Sequence, residues 1–341
     1  MHLNRPFCPL SRVAWRVAFV LAAVGSLARA EPAANTRIVL AVDGIKVVRN
    51  LPVLLAEHLG YFKDEGLTVT LMETSASAKV DGMLADGRVA GMVAYYHHTI
   101  VAQSEGRACE AVVTMAVTPG YELLIARRLQ GSIADLAGLK NRRIITGGPH
   151  SAKSTVANWL MLHQGLKISD YTAIAPGDQA ANAGSLRNGE ADFIIAPEPD
   201  AGFYETQGVA TGFADLYSVA GTRQGLGTVF PSTVLYMSTV YAHTHPDLTR
   251  RLVAVFVRTL QFIGTHSPAE IAALVPEIAA AEGSEPRVLA QGVKMFAADG
   301  LMPADAARLE AAAIAALFPD YAKVDIATTY TNEFVAAVLK K

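Results

Sequence analysis

The chain has 341 residues, 51% hydrophobic and 18% charged, a composition that excludes a disordered or collagen-like protein. Its length fits two domains or one large one. With two cysteines, and 29 basic against 31 acidic residues, it offers neither a cysteine metal cluster nor the basic surface that nucleic acid demands.

The N-terminus places Arg5, Arg12 and Arg16 ahead of a short apolar run, Val17 to Gly25, followed by Ala28-Arg29-Ala30. Basic leader, apolar run and A-x-A site in that order read as a secretory signal peptide, residues 1–30, cleaved after Ala30. The run is well short of the ~20 residues that span a bilayer. Removing the leader's four arginines from the 29 basic residues leaves 25 against 31 acidic ones, a net charge of −6. It also leaves Cys109 as the one thiol, expected as a small buried residue. The mature chain is expected to be soluble and exported.

"RIVLAVDG", 37–44, reads as a buried strand running into a loop. In "NLPVLLAEHLGYF" Asn50 is the expected N-cap, Pro52 lies in the first turn and Gly60 at the stop. "LTVTLM" is a second strand, "SAKVDGMLADG" a helix and "RVAGMVAYY" a third strand. This βαβαβ order predicts a parallel sheet with helices on its faces. The pattern recurs: strand "RRIITGG", helix "SAKSTVANWLMLHQG", strand "YTAIAP", helix "DQAANAGSLRNG", strand "EADFIIAPEP". "LADGRVAGMVAYYHH" lines up with "LRNGEADFIIAPEPD" at a constant offset, matching Gly87 to Gly189, Ala94 to Ala196 and Tyr96 to Glu198. The repetition predicts two similar α/β lobes, with the chain crossing between them on extended segments near 116–127 and 222–235. "STVLYMSTVYAHT" reads as a strand, and 247–341 as an Ala-rich helical tail that carries little chemistry.

The segments "PVLLAEHLGYFKDEGLTVTL", "SIADLAGLKNRRIITGG", "GLKISDYTAI" and "LRNGEADFIIAPEP", in this order, resemble the sulfonate/nitrate/thiamine-precursor group of periplasmic substrate-binding proteins, the SsuA/THI5-like (NMT1) family. The resemblance covers roughly 37–235. One departure is Gly91, where the family commonly has an acidic residue; Asp192 keeps it in the second lobe. The resemblance implies an α/β, type II two-lobe fold, each lobe a mostly parallel sheet flanked by helices, with extra C-terminal helices. It implies a discontinuous lobe I, 36–120 and 232–341, and a lobe II, 121–231. The implied function is capture of a small solute by a monomer. The solute is then delivered to an ABC permease in the inner membrane, where a cytoplasmic ATPase does the hydrolysis. No catalytic residue, cofactor or metal is expected.

In open α/β sheets ligands sit beyond the carboxyl ends of the strands. That rule selects the loops 43–50, 74–77, 95–98, 147–154 and 197–203, with Tyr121 and Phe230 as floor residues. Expected ligand-binding residues are Asp43, Asn50, Ser75, Ser77, Tyr95, Tyr96, His97, Tyr121, Gly148, His150, Ser151, Ser154 and Glu198. "GGPHSAKST" approaches the phosphate loop G-x-x-x-x-G-K-[ST], with Ala152 in place of the second glycine. An exported chain meets no ATP. The glycines and helix start are instead expected to hold the polar end of an imported solute, with Lys153 more often solvated. In "YYHH" adjacent side chains alternate faces, so one of Tyr95 and Tyr96, and one of His97 and His98, reaches the cleft. Glu198 is expected to accept a donor on the ligand, to pair across the closed lobes or to be solvated; for a simple anionic ligand it is expected to bridge to a base such as Arg49. The competing reading is an enzyme on the same scaffold, thiamine-precursor synthase-like or desulfinase-like, the latter with Cys109 as its nucleophile; a third is an exported ligand sensor. Ligand identity stays open among sulfonates, nitrate-like anions, aromatic acids and pyrimidines.

Overall fold

The computed structural model describes residues 35–74, 77–148, 151–281 and 286–340. The expected signal peptide, Ser75 and His150 lie outside the described residues. Among those described, no helix is long and apolar enough to cross a membrane.

Strands β1 (Thr36–Asp43) and β2 (Leu67–Thr74) pair in parallel along their full lengths, and helices α1 (Leu51–His58) and α2 (Tyr61–Asp64) form the crossover between them. Helix α3 (Ser77–Ala85) leads to β3 (Gly91–Tyr95), parallel to β1 on its other side. Helix α4 (His97–Ser104) and β4 (Cys109–Thr114) complete the first pass. Leu40, Ala41 and Val42 of β1 and Met92, Val93 and Ala94 of β3 are all buried. Such continuous apolar runs are what a sheet covered on both faces requires.

The second lobe repeats the plan with β5 (Tyr121–Ala126), β6 (Arg143–Ile145), α5 (Ala152–His163), β7 (Thr172–Ile174), α6 (Gln179–Asn188), β8 (Phe193–Ala196), α7 (Asp200–Thr206), β9 (Ala210–Leu216) and α8 (Val219–Leu226). The chain then returns as β10 (Thr233–Ser238), antiparallel to both β3 and β4. The sheet orders are β2-β1-β3-β10-β4 and β7-β6-β8-β5-β9. Four strands of each sheet share one direction and a single strand, β10 or β5, opposes them.

Two segments cross between the sheets, and they are bonded to each other. The N–H of Phe230 donates to Val117 O at 2.8 Å and that of Ser232 to Ala116 O at 2.9 Å. Ser232 Oγ donates to Thr118 O at 2.6 Å. The returning crossover is shorter than the sequence predicts. Residues 222–226 belong to α8, because Ser218 Oγ accepts the Gly221 N–H and caps a helix there.

"STVLYMSTVYAHT" is not one strand. It stops at Ser238, whose hydroxyl accepts the Tyr241 N–H and opens α9 (Thr239–Thr244). Helix α10 (Pro246–Thr265) buries Leu248, Leu252, Phe256, Leu260 and Ile263, a stripe at three- and four-residue spacing that lies on the first lobe. Phe256 meets Phe62 edge to face at 5.8 Å. Each such buried side chain contributes about 1.5–3 kcal/mol. The tail continues as α11 (Pro268–Leu274), α12 (Pro276–Ala281), α13 (Pro286–Gly292), α14 (Ala304–Leu317) and α15 (Glu333–Leu339). Helix α14 touches both lobes: Ala307 and Ala311 join first-lobe side chains, Ala313 those of α5.

The structural counterpart of Asp192 is Ala90, not Gly91. The Ala90 N–H donates to Val39 O in β1 at 2.9 Å, and the Asp192 N–H donates to Arg143 O in β6 at 2.8 Å. Asp192 accepts from Arg128 at 2.5 Å and from Arg143 at 3.0 Å. Burial alone would raise its carboxyl, but the bonds from Arg143 and Arg128 bring it down to about 2. Ala90 leaves the first lobe without this anchor.

Candidate functional site

A cavity of about 480 Å³ opens where strand ends of the two sheets face each other. The first lobe supplies Asp43, Val47, Val48, Arg49, Met92, Tyr95, His97 and His98; the crossing segment supplies Pro119, Gly120 and Tyr121. The second lobe supplies Gly147, Ser151, Ala152, Lys153, Pro197 and Glu198, and Met295 comes from the tail.

On the first-lobe wall the β1 end sets the geometry. Arg49 Nη2 donates to Asp43 Oδ2 at 2.9 Å and to Asp43 O at 2.6 Å. Its guanidinium lies 5.2 Å from the centre of the Tyr95 ring, a cation–π distance. Tyr95 and Tyr121 hydroxyls share a hydrogen bond of 2.9 Å, which links the wall to the floor. The His97 ring lies 5.8 Å from Tyr95 and 4.2 Å from His98. Burial and the neighbouring His98 hold the His97 imidazole well below its usual range. Burial takes His98 to about 4, with Asp43 pulling it up and Arg49 down. Both rings are therefore neutral near pH 7, each with a donor and an acceptor nitrogen. Arg49 Nε and His97 Nδ1 have no hydrogen-bond partner among the described residues.

The second-lobe wall is a helix start. Ser151 Oγ accepts the Ser154 N–H at 3.2 Å and caps α5. Gly147 is obligatory beneath it, because a Cβ there would stand 2.0 Å from Ser151 Oγ. Gly120 on the floor has φ +69°, a left-handed conformation that strains any side chain. Lys153, in the first turn, borders the cavity. Burial lowers its ammonium, opposed by Asp200.

Of the sequence-expected residues, Asp43, Tyr95, His97, Tyr121, Ser151 and Glu198 line the cavity. Asn50 does not. It is buried, makes no side-chain cap, and its amide donates to the carbonyls of Asp43 and Gly44 at 2.7 Å each, shaping the loop from behind. Tyr96 points to the opposite face, as strand alternation requires, and bonds Thr329 Oγ1 at 2.5 Å in the core. Ser154 is buried and donates to Gly147 O at 2.9 Å. Gly148 is exposed beside the cavity, with Gly147 the glycine that lines it. Ser77 opens α3. Phe230 packs on Trp159 at 5.6 Å and does not form the floor. Both His97 and His98 reach the cavity, because α4 begins at His97 and strand alternation ends there.

Glu198 pairs with Arg287, Nε to Oε1 at 2.6 Å, and not with Arg49. Arg287 and Met295 belong to the tail expected to carry little chemistry. Nothing local in the sequence marks them. Cys109 is buried in β4 and is not among the cavity residues. Among the described residues no group of three His, Cys, Asp or Glu is placed to hold a metal ion.

The charges nearly cancel. Asp43 offsets Arg49, and Arg287 offsets Glu198. Lys153 remains, with no ion pair among the described residues, facing two neutral imidazoles, two phenols and a capped helix start.

Known proteins share this architecture. A family model described as NMT1/THI5 like matches residues 49–271. A yeast protein named 4-amino-5-hydroxymethyl-2-methylpyrimidine phosphate synthase THI11, from Saccharomyces cerevisiae, is 27% identical over 153 residues, 45% of this chain and 41% of that protein. The match thus spans about two-fifths of that curated relative's length. A solved structure of a protein from Bordetella bronchiseptica RB50 superposes with a TM-score of 0.70 at 28% identity, covering 89% of this chain and 97% of that one. The alkanesulfonate-binding protein SsuA from Xanthomonas axonopodis pv. citri, solved with MOPS, gives 0.61 at 17% identity, covering 88% and 100%. The two sheets flanked by helices are thus the type II periplasmic-binding-protein fold. With the family model matching well over half of its residues, the chain belongs to the NMT1/THI5-like family.

Proposed function

We propose that the chain is an exported solute-binding protein that holds a small organic anion with a planar ring between its lobes. It then presents the solute to an ABC permease in the inner membrane, whose cytoplasmic ATPase supplies the energy. The observation that carries this reading is the division of the cavity: rings on one wall, Lys153 and a helix start on the other. Aromatic faces favour a planar group, and the partial positive charge of a helix N-terminus favours an anionic one. Export rests on the leader pattern of residues 1–30. Solute capture is also what the alkanesulfonate-binding relative's name describes.

The test is a thermal-shift panel on the mature chain covering aromatic carboxylates, aromatic sulfonates, nitrate and pyrimidines, with mass spectrometry of co-purified small molecules. A ligand at a hundredfold its Kd stabilises the fold by ~2.7 kcal/mol. Aromatic acids are expected to raise the melting temperature most. A panel in which none of them shifts it sinks the reading.

The synthase names of the curated relatives favour a second reading, an enzyme. A thiol nucleophile is the point at which it is testable. Cys109 lies in β4 away from the cavity residues, where burial disfavours the reactive thiolate. Alkylation of Cys109 that abolished a measured turnover would support the enzyme; binding that survives alkylation argues for the carrier.

A further inference from the structure

Glu198 borders the cavity with a side chain only 1% exposed. A buried carboxylate there would repel an anionic solute unless a cation neutralised it. The cation comes from outside the cavity, 89 residues along the chain. Arg287 is the second residue of α13, and the next two residues, Val288 and Leu289, pack in the first-lobe cluster with Val48, Leu51 and Ile271. At the other end of α13, a Cβ on Gly292 would stand 2.2 Å from Val48 Cγ2, so the helix is seated directly on the segment that carries Arg49.

From this first-lobe seat the guanidinium reaches three second-lobe carboxylates. Nε meets Glu198 at 2.6 Å; Nη2 meets Glu205 at 2.7 Å and Glu122 at 3.5 Å. Backbone donors fix the free oxygens: Gly202 N–H donates to Glu198 Oε2 at 3.1 Å and Gly212 N–H to Glu205 Oε1 at 3.0 Å. Among the described residues, these three carboxylates make no other ion pair. One cation against three acids leaves the group short of positive charge. Burial and the nearby Glu205 accordingly push the Glu122 carboxyl up to about 7.

We propose that Arg287 is a specificity-determining residue that acts through Glu198, fastening the first lobe to the second and cancelling the carboxylate that borders the cavity, so that the cavity accepts an anion. The proposal rests on the anion-binding function proposed for the cavity. Arg287 touches no solute. It is a positioning residue whose effect is read in the preference for charged over neutral ligand.

Benzoate and benzamide share a shape and differ in charge. Both are titrated calorimetrically into the mature wild-type chain, Arg287→Met, Glu198→Gln and the double variant. Arg287→Met is expected to lower the benzoate-to-benzamide affinity ratio tenfold or more, and the double variant to return it to within about threefold of wild type, since Glu198 is the one of the three carboxylates that borders the cavity. An unchanged ratio in Arg287→Met overturns the proposal. So does a loss that Glu198→Gln does not repair, which would make Arg287 a fold residue alone. Should Arg287→Met fail to fold, Arg287→Lys replaces it; Lys keeps one charge but not the fork, and an intermediate ratio is expected. Where the wild type binds neither probe, the ligand panel above decides the anion reading. Thermal melts of the four chains at pH 8 then decide about Arg287. A melting loss in Arg287→Met that Glu198→Gln suppresses upholds the coupling, and additive losses overturn it.

Discussion

The two walls of the cavity are built on sheets of the same strand plan, yet they present opposite chemistry. The first-lobe wall is largely bonded already: Arg49 to Asp43, Asn50 to the loop carbonyls, and Tyr95 to Tyr121 on the floor. The second-lobe wall has its own carboxylate tied away, Glu198 to Arg287, and carries a spare cation, Lys153, beside the capped start of α5. The difference originates in the segment that leaves each strand end. After β3 the chain enters α4 within two residues and brings two imidazoles forward, whereas after β6 a glycine pair leads into α5. A rigid wall sets shape, and the one with a spare cation sets charge.

The largest expected effect tests the rigid wall. Arg49→Ala removes the partner of Asp43 and the cation over Tyr95. Affinity for an aromatic acid is expected to fall ~100-fold by calorimetry, because hydrogen bonds to charged groups are worth ~1.5–3 kcal/mol each. Lys153→Met is expected to cost ~10-fold, as for a half-solvated charge. The reverse order would break the proposed division between the walls.

Stability separates the lobes next. Asp192→Ala leaves Arg128 and Arg143 without their shared carboxylate and is expected to cost ~2–3 kcal/mol in urea unfolding. Because its carboxyl is held down at about 2, its contribution is present above the ordinary Asp value of 3.8 and fades as the pH falls to about 2. Ala90→Asp in the first lobe puts a carboxylate where a small apolar residue is buried and is expected to destabilise rather than anchor.

Acidity splits the walls in a third way. His98, depressed to about 4, stabilises the fold above its free value of 6.5, and that contribution is lost as the pH falls from 6.5 through 4. Glu122, raised to about 7, works the other way: its contribution is full below 4.5 and lost as the pH rises through 7. In melting curves against pH, His98→Gln should flatten the acid limb and Glu122→Gln the alkaline limb, each by on the order of 3 °C. Parallel curves for all three chains would contradict both assignments.

The smallest expected effect is at the helix cap. Ser151→Ala should lower stability by ~1 kcal/mol in thermal or urea unfolding. Its loss of ligand affinity should stay within a few-fold, since the α5 backbone remains in place.

Much of this arrangement is legible in the sequence. Strand-end loops had to supply the cavity, and 43–50, 95–98, 147–154 and 197–203 do. Alternation along β3 fixes that one tyrosine is core, though not which; the packing of Tyr96 against Thr329, 233 residues away, decides it. Hydroxyls were harder to read. Ser151 and Ser154 look alike in sequence, but one caps the helix at the cavity while the other ties Gly147 from within. Arg287 was out of reach of local reading, since its meaning depends on three carboxylates at 122, 198 and 205 that only the fold assembles.

Trp159 lies on α5 against Phe230, in the segment that returns from the second sheet to the first, and it is the one tryptophan among the described residues. Its indole is buried in the second-lobe cluster and touches the returning segment. A shift of that segment on solute binding would change the indole's surroundings, so intrinsic emission can read it with no label attached.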